Sequence, residues 1–161
     1  MKISEHGQTV IFDFSVAFFI FMIVFATLIF LFADSLTEKI NQQDFHSMDL
    51  KANLAAETLV KSTGYPTNWQ DISATQINSI GLCKTDRSID EKKLNAFKNM
   101  DYDSARKLLG LNEFDFYFQF TGDNNVTAGL FPAADITTTT ATRIVEYKGS
   151  DGIAKITVYR T

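Results

Sequence analysis

The sequence predicts an α+β fold: a long N-terminal hydrophobic helix packed C-terminally by a small antiparallel β-sheet with short inserted helices. Three observations predict it. Residues 14–33 carry no formal charge. An amphipathic pattern then continues without Pro or Gly as far as Gly64. Further on, Phe occupies every second position from Phe114 to Phe120, which is the period of a half-buried strand.

The uncharged run over residues 14–33 predicts a transmembrane helix. At 1.5 Å per residue it spans roughly 30 Å, the thickness of a bilayer's hydrocarbon core. A buried helix of a soluble protein is an alternative, but such a helix usually keeps a polar stripe, and Ser15 and Thr27 are the only polar residues here. A secretory signal peptide is another alternative. The run is longer than the roughly 7–15 residues of such a peptide's apolar region, and no small-residue cleavage pattern follows Ala33.

Asp13 lies just before the uncharged run, where an unpaired carboxylate at membrane depth costs a few kcal/mol. Two interpretations remain open. The carboxylate either lies at headgroup level near the positive end of the helix dipole, or pairs with an amine of its own or a neighbouring subunit. No GxxxG motif accompanies it, so close helix dimerisation is not predicted.

The segment 34–61 is predicted to continue the helix, with Gly64 and Pro66 ending it. The alternative is a break at Asp34-Ser35, where Ser35 would cap a new helix. In the loop that follows, Trp69 is interpreted as a core anchor, with a ligand-binding aromatic as the alternative.

Two short helices and three strands are predicted in the remainder. Ser88 and Glu91 form a capping box for a helix reaching Met100, and the charges of residues 90–93 are interpreted as a solvated face. The other predicted elements are a helix over Tyr102–Leu109, the strand Phe114–Phe120, and the strands Thr138–Lys148 and Ile153–Arg160 around a Gly-rich turn at 149–152.

The polar connection between the first two of these strands is predicted to be a surface loop. It contains Asn125-Val126-Thr127, which matches the acceptor pattern for N-glycosylation. Asn125 is therefore a candidate glycosylation site.

Composition excludes several functions. A net charge of −4 gives no basic footprint for nucleic acid. Cys83 is the single cysteine, and His6 and His46 lie far apart, so neither a disulfide framework nor a zinc site is predicted. The sequence carries none of the common nucleophile, metalloprotease, P-loop or dinucleotide motifs. We therefore predict a protein that is not an enzyme and binds no metal or cofactor.

The N-terminus resembles archaeal type IV pilin-like proteins with class III signal peptides. The features that carry the resemblance are a short polar leader ending in Gly7, then Gln8-Thr9, a carboxylate soon after, and a long apolar helix continuing into a polar one. The family usually carries Glu as the fifth residue after the cut, whereas here Phe12 is fifth and Asp13 sixth.

The resemblance implies cleavage by a prepilin peptidase between Gly7 and Gln8, and pairing of Asp13 with the new amino group of Gln8 to set subunit register. It further implies a leader at 1–7, a transmembrane helix at 8–33 and an extracytoplasmic head at 34–161 that includes the helical continuation 34–61. The apolar helix would first anchor the subunit and then form the spine of a filament. The spine residues are Phe14, Phe18, Phe21, Phe25, Leu28 and Phe32.

The expected function is a structural subunit, or a minor or assembly component, of a cell-surface filament with a role in adhesion. Its expected partners are the membrane, copies of itself or other pilins, the prepilin peptidase and the pilus assembly machinery. The alternative is a single-pass membrane-anchored ligand-binding or sensor module that does not polymerise.

Overall fold

The computed structural model of the chain describes the backbone of residues 5–160 and the side chains of residues 12–32 and 44–160. It has an α+β fold. Backbone contacts divide the chain into an N-terminal unit, Met1–Asp44, and a head unit, Phe45–Thr161. Helix α1, Glu5–Lys61, continues through Asp34-Ser35 without interruption. The predicted alternative of a new helix capped by Ser35 is therefore wrong.

Gly64 follows the end of α1 and allows the chain to turn back onto the head. Its φ is +78°, as predicted for a glycine that ends a helix, and a Cβ there would collide with the Trp69 ring. Trp69 begins a short 3₁₀ turn, Trp69–Asp71, and a second such turn is Ala74–Gln76. The Trp69 side chain is 1% exposed and its Nε1 donates to the Gly81 carbonyl at 2.9 Å, which confirms the predicted core anchor.

Helices α2, Glu91–Lys98, and α3, Tyr102–Leu108, confirm the two predicted short helices, but the predicted cap of the first is wrong. The N-cap is Asp90, whose carboxylate accepts from the backbone N–H groups of Lys92 and Lys93. Ser88 lies in a strand instead, because its backbone is engaged by the sheet.

Within residues 5–160 the sheet has six strands, in the order β1-β2-β5-β6-β3-β4. Their bounds are β1 Cys83–Thr85, β2 Ser88–Ile89, β3 Asp115–Thr121, β4 Val126–Gly129, β5 Thr138–Tyr147 and β6 Ser150–Tyr159. The predicted antiparallel arrangement holds for β1-β2 and for β5-β6-β3-β4. It is wrong at β2-β5, where Ser88 and Glu146 pair in parallel, so the sheet is mixed. A parallel pair needs a long crossover, and α2, α3 and the β3-β4 hairpin provide it.

Two features of the strands differ from the sequence prediction. The connection predicted as a polar surface loop contains β4, because the alternation of buried Val126 and Ala128 allows it to pair with β3. The β5-β6 turn lies at Lys148-Gly149, with φ of +53° and +84°, rather than at 149–152. Two consecutive positive φ angles are those of the type I′ turn that two-residue hairpins favour.

The core of the head lies between one face of α1 and one face of the sheet. The helix contributes buried side chains from Met48 to Val60, and β3 contributes Phe116, Phe118 and Phe120, each 1% exposed. Phe97 of α2 packs edge-on against Phe118, with ring centroids 5.4 Å apart. The predicted burial of the alternating Phe face is thereby confirmed.

Candidate functional site

The segment Phe12–Phe32 of α1 is the part of the described chain that most directly indicates a function. It is the one described helix that is long and apolar enough to cross a membrane, and it lies near the N-terminus. Membrane anchors and signal sequences share these properties. None of its side chains is buried by any described residue.

The exposed apolar surface covers every side of this segment. The predicted spine residues Phe14, Phe18, Phe21, Phe25, Leu28 and Phe32 are between 46% and 71% exposed. Phe14 stacks on Phe18 and Phe21 on Phe25, with ring centroids 6.4 and 5.8 Å apart, so the rings lie along the helix one turn apart. Side chains outside the spine, such as Phe19 and Ile23, are 67% exposed. The exposed apolar surface therefore extends beyond the stripe formed by the predicted spine residues.

The polar side chains of the segment differ in how they are satisfied. The Thr27 hydroxyl donates to the Ile23 carbonyl at 2.8 Å, so it needs no outside partner. Asp13 is exposed, and no described donor or cation contacts it. The predicted cleavage residues Gly7 and Gln8 belong to α1, but their side chains lie outside the described residues, and so does any pairing of Asp13 with Gln8.

In the head, the helix is joined to the sheet by a polar cluster. Arg143 of β5 donates to Glu57 at 2.8 Å and to Asn53 at 3.0 Å, and Lys61 pairs with Glu57 from the next turn of α1. Hydrogen bonds from Lys61 and then from Arg143 hold the pKa of Glu57 below its usual value. These contacts fix α1 on β5.

Lys93 corrects the prediction that residues 90–93 form a solvated face. It is 5% exposed, and its Nζ donates to the Thr63 carbonyl at 2.7 Å and the Cys83 carbonyl at 3.1 Å. Burial lowers its pKa. The ammonium therefore joins the chain after α1 to β1, a role that the neighbouring charges in the sequence conceal.

Cys83 is fully buried, and its thiol donates to the Val60 carbonyl at 2.7 Å. Burial raises the pKa of this thiol to about 11. A protonated thiol without access to solvent has little nucleophilic reactivity. Cys83 is accordingly a core residue.

Two adjoining cavities lie where the 3₁₀ turns meet α2 and α3. The larger, about 420 Å³, is lined by Thr75, Asn78 and Lys107 among others, and the smaller is about 250 Å³. Gln70 lines the smaller cavity, and its buried Oε1 forms no hydrogen bond with any described residue. Within the described ranges, no three His, Cys, Asp or Glu residues are grouped so that they could hold a metal ion.

Asn125, the candidate glycosylation site, is exposed in the connection between β3 and β4. It immediately precedes β4, so the sheet positions it although it lies outside a strand.

No protein-family model matches the chain, and comparisons with curated proteins and with solved structures find no match either.

Proposed function

We propose that the chain is a pilin-like structural subunit. In this proposal Phe12–Phe32 first anchors it in the membrane and later packs among copies of itself or other pilins in a cell-surface filament, with the head outside the cell. The observation that carries the proposal is the apolar surface of Phe12–Phe32, none of which is buried by the described residues.

No described residue covers that surface, and its size makes exposure to water costly. Sixteen large apolar side chains of the segment are exposed, and burying one stabilises by about 1.5–3 kcal/mol. Exposure of the whole segment to water therefore costs on the order of tens of kcal/mol, more than the total stability of a typical domain. Lipid covers all sides of a single helix, and a bundle of identical helices offers a second apolar environment. A subunit that passes from membrane to filament uses both.

Asp13 supports the filament proposal in a specific way. At the edge of the apolar span the carboxylate reaches headgroups and water, so membrane insertion tolerates it. Inside a bundle of apolar helices it needs a cation, and the amino group that cleavage would create at Gln8 supplies one. The pair would then fix the register between subunits, because any other register leaves the charge unpaired.

The head fits a structural role outside the cell. The outward side chains of its central strands are a mixture of polar residues, including Thr142 and Lys155, and the exposed apolar pair Ile144 and Ile153. Such a surface suits contact with water, other subunits or an adhesion target. The proposal includes no catalytic activity, and its partners are the prepilin peptidase and the pilus assembly machinery.

The first experiment is intact-mass measurement of the protein from its native membrane. A chain beginning at Gln8 supports processing by a prepilin peptidase and with it the pilin role. A chain that retains Gly7 and the residues before it contradicts that role.

The second experiment separates anchoring from assembly by replacing Asp13 with Ala. We expect filaments, counted by electron microscopy, to fall at least tenfold while the protein stays in the membrane fraction. Asp49→Ala is the matched control, because Asp49 is exposed on the same helix and its carboxylate forms no hydrogen bond or ion pair with any described residue. Normal filaments in the Asp13→Ala variant would show that Asp13 does not set register.

The two cavities beside α2 and α3 favour a second candidate, an anchored ligand-binding module that does not polymerise. Their volumes suit a small molecule. An uncleaved chain that forms no filaments is the result that would favour this candidate.

A further inference from the structure

We propose that Asn125 carries an N-linked glycan and that this saccharide protects the free edge of strand β4. The inference rests on the proposed function in one respect, since the glycan donor meets the head only if the head lies outside the cytoplasm.

The acceptor pattern is displayed for modification by the strand that follows it. Val126 is buried and pairs with Phe120, while Thr127 is exposed and pairs with Gln119 of β3. Because side chains alternate along a strand, Thr127 points to the outer side of the sheet, and Asn125, in the connection just before β4, is exposed as well. The two residues that define the pattern are therefore accessible together, with Val126 as the anchor between them.

Both groups are also chemically free. Neither the Asn125 amide nor the Thr127 hydroxyl makes a side-chain hydrogen bond to any described residue. Modification at Asn125 thus breaks no contact of the described chain. The surroundings suit a saccharide as well. From Thr127 at the edge, a row of polar side chains crosses the next three strands toward the middle of the sheet: Gln119, Lys155 and Thr142. Amide, ammonium and hydroxyl groups are the partners that sugar hydroxyls require.

The position of Asn125 gives the glycan a physical consequence. β4 is the last strand of the sheet, and its outer edge pairs with no described strand. The apolar side chains of Leu130 and Phe131 follow it and are 55% and 77% exposed. An unpaired edge next to apolar side chains invites edge-to-edge pairing of two copies. A bulky hydrophilic group at the first residue before the strand blocks that approach.

The modification is a glycosyl transfer from a lipid-phosphate-linked saccharide. A bond forms between Asn125 Nδ2 and the anomeric carbon of the donor sugar, and the bond from that carbon to the phosphate oxygen breaks. The leaving lipid phosphate keeps the electron pair, and the proton lost from Nδ2 passes to a base of the transferase. No oxidant or reductant is involved.

The test is peptide mass mapping of the full chain recovered from its native membrane. Trypsin releases residues 108–143 as one peptide, since no Lys or Arg lies between Lys107 and Arg143. We expect this peptide to carry the added mass of at least one sugar residue. The mass is lost completely in Asn125→Gln and Thr127→Val, and kept in Thr127→Ser and Asn124→Gln. Asn124→Gln is the matched control, because Asn124 is an exposed neighbour outside the acceptor pattern.

Protease accessibility of the head on intact cells, measured in parallel, separates two kinds of failure. An unmodified peptide on an accessible head overturns the glycan proposal and leaves the proposed function intact. An unmodified peptide on a protected head contradicts both. Added mass that survives Asn125→Gln also overturns the assignment to this residue. Equal self-association of detergent-solubilised Asn125→Gln and Asn124→Gln variants would refute protection of the β4 edge.

Discussion

Replacement of Phe118 by Ala tests the packing between the helix and the sheet. Phe118 is 1% exposed, lies edge-on to Phe97, and lines one small gap together with Ala56 and Leu59 of α1. Truncation removes a ring that the surrounding helix and strands cannot replace, and such changes cost about 3–5 kcal/mol. A head of this length is expected to have a total stability of about 6–18 kcal/mol, so the loss is a large fraction of it. The midpoint of thermal unfolding should fall by roughly 10–25 °C.

The assay for this variant is fluorescence-monitored denaturant unfolding of the full chain in detergent. Trp69 is the single tryptophan and is buried, so its emission reports the unfolding of the head. Tyr117→Ala is the control, because Tyr117 immediately precedes Phe118 on the same strand and points to the outer face. We expect Tyr117→Ala to cost less than Phe118→Ala, because Tyr117 is only half-buried and its contact with Phe131 adds about 0.5–1.5 kcal/mol beyond area burial. Equal losses in the two variants would refute a core located on the Phe118 side of the sheet.

Three further predictions follow from other contacts of the head. Asp90→Ala should destabilise it by about 0.5–2 kcal/mol through loss of the α2 cap, and a larger loss in Ser88→Ala would contradict that cap. The thiol of Cys83 should react with a maleimide near neutral pH only after unfolding, as followed by intact mass, because its pKa is about 11 and it is buried. Hydrogen bonds from Lys61 and then from Arg143 hold the pKa of Glu57 below 4.5. The stability that these hydrogen bonds provide is therefore present above pH 4.5 and is lost as the pH falls through the lowered pKa. Arg143→Met should therefore flatten the acid limb of a stability-versus-pH curve measured by Trp69 emission, and an unchanged slope would contradict the pairing.

The sequence predicts those elements whose signal is local. The alternation from Phe114 to Phe120 indicates β3 because each Phe meets the same core, and the unbroken pattern to Lys61 indicates α1 because no residue ends it earlier. The turn at Lys148-Gly149 is nearly predicted, with an error of one or two residues, since several glycines and polar residues there could supply the positive φ.

Other features depend on contacts that no local pattern contains. Ser88 satisfies the capping-box spacing, but its pairing with Glu146 places it in a strand, and Asp90 then becomes the cap. Lys93 has the charge pattern of a solvated residue, but the carbonyls of Thr63 and Cys83 converge on its amine from distant parts of the chain. In the candidate site, Gly7 and Gln8 are predictions from the leader pattern alone. The tripeptide at Asn125 predicts a glycosylation site, but its exposure follows from the pairing of β4 with β3 and cannot be read from the tripeptide.

The head and the N-terminal segment differ in what they need from outside the chain. The head buries a core of its own apolar side chains and satisfies Lys93 and Arg143 internally. The segment Phe12–Phe32 buries none of its side chains, so its stability is determined by whatever surrounds it. Substitutions in the head should therefore change abundance through folding, whereas substitutions of Asp13 should change location or assembly while the head remains folded. That difference makes the N-terminal segment the place where the function of this chain can be tested without unfolding it.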